Sequence, residues 1–139
     1  MGKIYRYQIV SDAYTTYRLE GDGITELCTL DGETYVYVPE VLAAQPEQLT
    51  VIEVTLTDEL REAIKAASPH CQLIYDRMEA QIRERYAADD EMFLTRIGVG
   101  QALGVYQMTV GEQAELVAYQ SFVEGVRQWG RERRAELGL

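Results

Sequence analysis

The sequence predicts an α+β fold, in which a small antiparallel, tyrosine-rich sheet of four or five strands precedes about four helices. β-Branched residues and tyrosines are concentrated in residues 1–56 between glycine-containing turns, a pattern typical of strands and hairpins. Residues 57–139 instead carry apolar side chains at helical spacing and clear helix-start signals. We therefore expect a β-rich part over residues 1–56 and a helical part over residues 57–139, with one compact domain as an alternative.

The strands are predicted from runs of β-branched and aromatic residues that end at turn residues. Asp31-Gly32 is the strongest hairpin signal, because a two-residue type I′ turn needs positive φ at both positions. Partial alternation before this turn places Cys28 and Leu30 on the same face. Residues 40–44 are predicted as one helical turn. The predicted strands are 3–10, 13–19, 24–30, 33–38 and 49–56.

The first three helices are predicted from capping residues. Thr57 precedes two acids and is placed as the N-cap of a helix that ends at about residue 67. Ser68-Pro69 then starts a second helix, since proline suits the first helical position and disfavours a helical conformation at the residue before it. The acids of Asp89-Asp90-Glu91 favour the start of a third helix, which we expect to end near residue 97, where glycines begin.

The last helix is predicted from a capping box, Thr109-Val-Gly-Glu112, in which each side chain satisfies a backbone N–H group of the helix end. Arginines are concentrated in its final turns, where cations favour the negative end of the helix. Its inner face is expected to carry Val110, Leu116, Val117, Tyr119, Phe122, Val123, Val126 and Trp129.

Aromatic residues are the candidates for an interaction surface. Tyrosines separated by two positions project from one face of a strand. One interpretation is an exposed aromatic face that binds a sugar or a partner protein. The other is cross-strand packing on a half-buried sheet, which is worth up to about 1 kcal/mol per pair. The candidate residues are Tyr5, Tyr7, Tyr35, Tyr37 and Trp129.

The charge of the chain limits its partners. The formal net charge is −10, and residues 1–56 carry nine acids against three bases. An acidic surface repels phosphate backbones and anionic lipid, so we expect no direct contact with nucleic acid or membrane. The acidic first part leaves one alternative open, which is imitation of DNA in the basic cleft of a host protein.

Candidate chemistry centres on His70 and Cys71, just inside a helix N-terminus that can lower the pKa of a thiol. Adjacent helical residues point about 100° apart, and Cys71 lies on an apolar stripe, so packing is the favoured interpretation. Cys28, Cys71 and His70 lack the paired spacing of a zinc site. We predict no catalytic, cofactor-binding or metal-binding set. The start of the chain lacks a signal sequence, so we expect cytoplasmic synthesis with reduced thiols.

One pattern in residues 57–139 resembles uncharacterised small proteins encoded in phage and prophage genomes. In those proteins a Tyr-x-x-Asp-Asp/Glu-Glu helix start is followed by a run ending in Leu-Arg. A later segment carries alternating tyrosine and acidic residues, and residues 118–124 resemble it. The chain departs from the pattern at Thr95, where leucine is expected, and in the glycine-rich segment 98–104. The matching residues are Ser68-Pro69-His70, Leu73-Ile74, Ile82-Arg83, Tyr86, Asp89-Asp90-Glu91 and Arg96.

The resemblance implies phage ancestry and a virion or assembly role, with no active site to carry over. We therefore expect a non-enzymatic phage structural or assembly protein of the tail or tail-fibre region, which contacts other phage proteins or itself as a homo-oligomer. Two alternatives remain. The first is an acidic DNA-mimic inhibitor of a host DNA-processing protein, and the second is a small enzyme that uses Cys71.

Overall fold

The computed structural model of the protein describes residues 2–139, which form an antiparallel sheet followed by helices. The predicted α+β class is confirmed. The strands are β1 (Lys3–Tyr7), β2 (Val10–Ser11), β3 (Thr16–Tyr17), β4 (Thr25–Leu30), β5 (Glu33–Val38) and β6 (Ile52–Glu53). The helices are α1 (Asp58–Ala67), α2 (Pro69–Arg85), α3 (Ala88–Ala102) and α4 (Val110–Ala135).

Four strands form one sheet in the order β4-β5-β1-β6, and β2 pairs with β3 alone. All pairings are antiparallel. The strands predicted over 3–10 and 49–56 are longer than those observed. The first leaves the four-stranded sheet after Tyr7, because Val10 and Ser11 pair with β3 instead. Asp12 forms the turn between β2 and β3, where its carboxylate accepts hydrogen bonds from the backbone N–H groups of Tyr14 (2.8 Å) and Thr15 (2.7 Å).

The β4–β5 hairpin has the predicted turn, with φ of 51° at Asp31 and 79° at Gly32. The predicted alternation holds for Cys28 and Leu30, which pack in the same cluster, but it breaks where the register shifts between Glu26 and Cys28. This irregularity lets two consecutive residues, Leu27 and Cys28, join the same buried cluster. The helical turn predicted at residues 40–44 is not formed.

The sheet has an apolar cluster on each face, as the alternation of side chains along β5 requires. Tyr35 packs with Ile4 and with Ile64 of α1, while the adjacent Val36 packs with Tyr7 in a second cluster. The end of the chain also reaches the first cluster, where the partly buried Leu137 and Leu139 pack against it. The sheet is therefore held between α1 and the chain terminus on one side and long connecting segments on the other.

The predicted start of α1 and the break before α2 are confirmed. The Thr57 hydroxyl accepts a hydrogen bond of 3.1 Å from the backbone N–H of Leu60, and Ser68 has an extended ψ of 124°. The capping box of α4 is also formed. The N–H of Glu112 donates to Thr109 Oγ1 at 3.1 Å, and the N–H of Thr109 donates to Glu112 Oε1 at 2.9 Å.

The predicted end of α3 near residue 97 is wrong, because the helix continues through Gly98 and Gly100 to Ala102. A Cβ atom on Gly98 would lie 3.0 Å from Leu116 Cδ2, and one on Gly100 would lie 2.9 Å from the Cβ of Tyr106. These glycines therefore permit close packing against neighbouring segments, and this packing outweighs their low helix propensity.

The chain folds into two compact units. The sheet unit comprises the chain up to Leu73 together with Arg133–Leu139, and the helical unit is Ile74–Glu132. The helical unit has its own core, in which Leu94, Ile97 and Met108 are buried. The units thus do not follow the strand-then-helix order of the sequence, since α1 and the chain terminus belong with the sheet.

Candidate interaction surface

The four candidate tyrosines lie in the apolar clusters of the sheet unit. Tyr7 and Tyr35 are only 2% and 7% exposed, and the half-buried Tyr5 and Tyr37 pack against the same clusters. The cross-strand partner of Tyr5 is Val36, and that of Tyr37 is Ile4. Tyr7 and Tyr35 are therefore core residues, and the partly exposed rings of Tyr5 and Tyr37 stabilise the sheet by cross-strand and core contacts.

Side chains of α4 follow the predicted inner face only in part. Trp129 is half-buried and Val126 is buried, but Val110 and Val117 are strongly exposed, which corrects their prediction as core residues. The physical reason is that α4 packs along one stripe that includes Leu116, and positions on the opposite side remain in solvent.

The two cysteines do not form an activated thiol site. Both are buried in the sheet unit and neither is in a disulfide. Burial raises the pKa of the Cys71 thiol, and burial with the nearby Cys71 raises the pKa of Cys28 to about 11. Because a nucleophile or metal ligand must be a thiolate, these environments favour packing over catalysis. His70 lies exposed beside Cys71 in the sequence.

Residues 2–139 contain neither a metal-binding cluster nor a membrane-spanning helix. That part of the chain contains no group of three or more histidine, cysteine or acidic side chains that could hold a metal ion. Nor does any helix in it combine the length and apolar character needed to cross a membrane.

Glu91 joins the three helices of the helical unit. Its carboxylate accepts a hydrogen bond from the Tyr119 hydroxyl on α4 and pairs with the Arg83 guanidinium on α2. These contacts lower the pKa of Glu91, with the Tyr119 hydrogen bond as the larger cause. The pKa of Tyr119 is raised to about 12, first by burial and then by its hydrogen bond to the Glu91 carboxylate. The ring of Tyr86 contacts Tyr119 edge-on, with centroids 5.0 Å apart.

The acidic triplet thus contributes more than a helix start. Sequence reasoning explained Glu91 by the helix dipole alone, and its partners are 8 and 28 residues away in the chain. We call this arrangement of Arg83, Glu91 and Tyr119 the Glu91 node. It holds α2, α3 and α4 in one arrangement and so fixes the surface beside it.

An open groove of about 540 Å³ lies next to the node. Met92 and Val99, seven residues apart on α3, supply its apolar side chains, and Met92 is 72% exposed. Arg96 lies between them, with its guanidinium 5.9 Å from the centroid of the Phe93 ring and no ion pair within residues 2–139. The groove therefore combines an apolar surface with one cation. Its lining is Glu91, Met92, Thr95, Arg96, Val99 and Tyr119.

The turn between α3 and α4 exposes three more apolar side chains. These residues, Leu103, Val105 and Val110, form what we call the hairpin tip, with Val105 80% and Val110 85% exposed. Neither the groove nor the tip was predicted from the sequence. The signal that could have indicated the tip is the segment 97–111, whose fifteen residues make the longest stretch without Asp, Glu, Lys or Arg in a chain that is 26% charged.

Comparisons with protein-family models, with curated proteins and with solved structures found no match to this chain. A function is therefore inferred from the surfaces of the protein itself.

Proposed function

We propose that the protein is a non-enzymatic structural or assembly protein of a phage or prophage, from the tail or tail-fibre region, which acts by binding other phage proteins. The observation that carries this proposal is the exposed apolar surface of the helical unit, formed by the groove and the hairpin tip. Large exposed apolar patches are typical of interaction sites on proteins that otherwise keep a charged surface.

The rigidity of this surface supports a binding role. The Glu91 node ties α3 to both of the other helices of the unit, so the groove is present before a partner arrives. A preformed surface loses less conformational entropy on binding than a flexible one. Two residues of the phage-like pattern, Glu91 and Arg96, also line the groove.

The groove favours a partner segment of particular chemistry. Apolar side chains at helical spacing on the partner would cover Met92 and Val99, and a carboxylate would pair with Arg96. Such a protein is made in the cytoplasm and then joins an assembly intermediate or the virion.

A complementation experiment tests the proposal. The reading frame is deleted from the phage or prophage that encodes it, and virions are counted and imaged by electron microscopy. We expect phage DNA to accumulate normally while tailed, infective particles are lost. The wild-type gene should restore them, and a Met92→Glu/Val99→Glu gene should not.

Val41→Glu is the matched control, because Val41 is 94% exposed and lies in the sheet unit. Normal yields of infective particles from the deletion would overturn the proposal. A salt-sensitive complex with a host DNA-processing protein, which DNA displaces, would support the DNA-mimic alternative instead.

A further inference from the structure

The hairpin tip combines exposed apolar side chains with the longest charge-free segment of the sequence. Its side chains Leu103, Val105 and Val110 are exposed, and the surrounding segment 97–111 carries no charge. Internal bonds also order the turn. The Tyr106 hydroxyl donates to the Glu112 carboxylate, at 2.9 Å from Oε2, and the Met108 N–H donates to Gln101 Oε1 at 3.1 Å. The tip is thus a defined apolar surface.

We infer that the hairpin tip is a self-association surface and that its occupant is a second copy of this chain. This inference deepens the proposed function, because it rests on the same protein-contact role and names one partner. A closed pair of identical chains places the same patch on both sides of the interface. An uncharged apolar patch is complementary to itself, whereas a patch of one charge sign is not.

The net charge of the chain favours self-association at the hairpin tip over other parts of the surface. Each copy carries a formal charge of −10, so two copies repel each other over most of their surfaces. The longest charge-free segment is where this repulsion is weakest, and it coincides with the exposed valines and leucine. A membrane is a poorer occupant, since this acidic chain is repelled by anionic lipid.

The small area of the tip limits the pair to weak, reversible association. Burying one leucine or valine side chain removes roughly 60–120 Å² of apolar surface from water, if its transfer free energy is divided by the usual area coefficient. The three tip residues, taken from both copies, then bury roughly 360–720 Å². Specific interfaces begin at about 1,200 Å² in total, so we expect a weak pair that depends on concentration.

Sedimentation velocity of the full chain tests this inference. We expect the average mass to rise toward that of a dimer as the protein is concentrated from about 1 to about 200 μM. Added NaCl should strengthen the pair, because it screens the repulsion between acidic chains and leaves the apolar contact intact.

Two single substitutions remove the contact in different ways. Leu103→Glu places a carboxylate at an exposed position of the tip. Val110→Glu does so in the first turn of α4, where a carboxylate favours the helix and folding is retained. Each should weaken dimerisation at least tenfold, while Val41→Glu in the sheet unit should not change it. Circular dichroism checks that all three variants are folded.

Several results would overturn the inference. These are a wild-type monomer at the highest concentration in high salt, equal weakening by Val41→Glu, or dissociation on adding NaCl. Binding of the wild type to phosphatidylcholine vesicles that is lost in Leu103→Glu would also do so. A monomer whose gene is still needed for virion formation would reject self-association and leave the proposed function standing.

Discussion

Glu91 shows how one side chain can hold several elements together. It receives a hydrogen bond from Tyr119 and an ion pair from Arg83, which stand on two different helices. Each partner favours the ionised carboxylate, which is why the pKa of Glu91 is lowered. Its neighbours Asp89 and Asp90 are exposed, so only one member of the acidic triplet has this role.

Replacing Glu91 by glutamine should reduce the free energy of unfolding by about 1 kcal/mol. The loss is this small because solvent around Arg83 screens the charged hydrogen bond and so weakens it. Because the pKa of Glu91 is lower in the folded state, its contribution is present above its ordinary value of 4.5 and is lost as the pH falls through the folded-state pKa. Urea unfolding at a series of pH values below 7 should therefore show that the free energy of unfolding falls less in Glu91→Gln than in the wild type.

Asp90→Asn is the control for this measurement, because Asp90 is an exposed acid in the same helical turn. Its acid profile should resemble that of the wild type. Identical profiles for wild type and Glu91→Gln would show that the node does not stabilise the unit.

Capping signals and glycine positions differ in how well they predict helices. A cap depends on residues within three or four positions, so the starts of α1 and α4 could be predicted from Thr57 and Thr109. The effect of a helical glycine depends on what lies opposite it in space. Gly98 and Gly100 resembled helix breakers, yet both lie inside α3, at close contacts with Leu116 and Tyr106.

Alanine substitutions at two helical glycines should have opposite effects. At Gly100 the new Cβ would lie 2.9 Å from the Cβ of Tyr106, so we expect a loss of stability of about 1–3 kcal/mol from overpacking. At Gly125 on α4 nothing lies within 4 Å, so Gly125→Ala should stabilise the protein by about 0.5–1 kcal/mol. Thermal unfolding followed by circular dichroism measures both. Equal changes of the same sign would contradict close packing at Gly100.

The chain passes between its two compact units twice. The chain leaves the sheet unit within α2, builds the helical unit, and returns within α4. Its last residues then pack on the sheet, with Gly138 at a φ of 78° beside the ring of Tyr37. A residue with a side chain would be strained at this φ and would meet that ring.

Leu137→Ala should therefore destabilise the sheet unit. Leu137 is half-buried against the cluster that contains Ile4 and Tyr35, so we expect a loss of about 1–3 kcal/mol, below the cost of a fully buried leucine. Val41→Ala removes an almost fully exposed side chain and should change stability by less than about 0.5 kcal/mol. Chemical unfolding of both variants compares them. An unchanged midpoint for Leu137→Ala would mean that the chain terminus does not stabilise the sheet.

Local sequence patterns are enough to predict the α+β class, the Asp31-Gly32 hairpin and the helix starts, because each depends on turn chemistry or periodicity within a few residues. Tertiary structure decided which faces are covered. Tyr7 and Tyr35 are buried, and Met92, Leu103 and Val110 are exposed, since burial depends on which distant segment packs against a face. The return of Leu137 to a sheet formed more than 100 residues earlier has the same cause, and no local pattern encodes it.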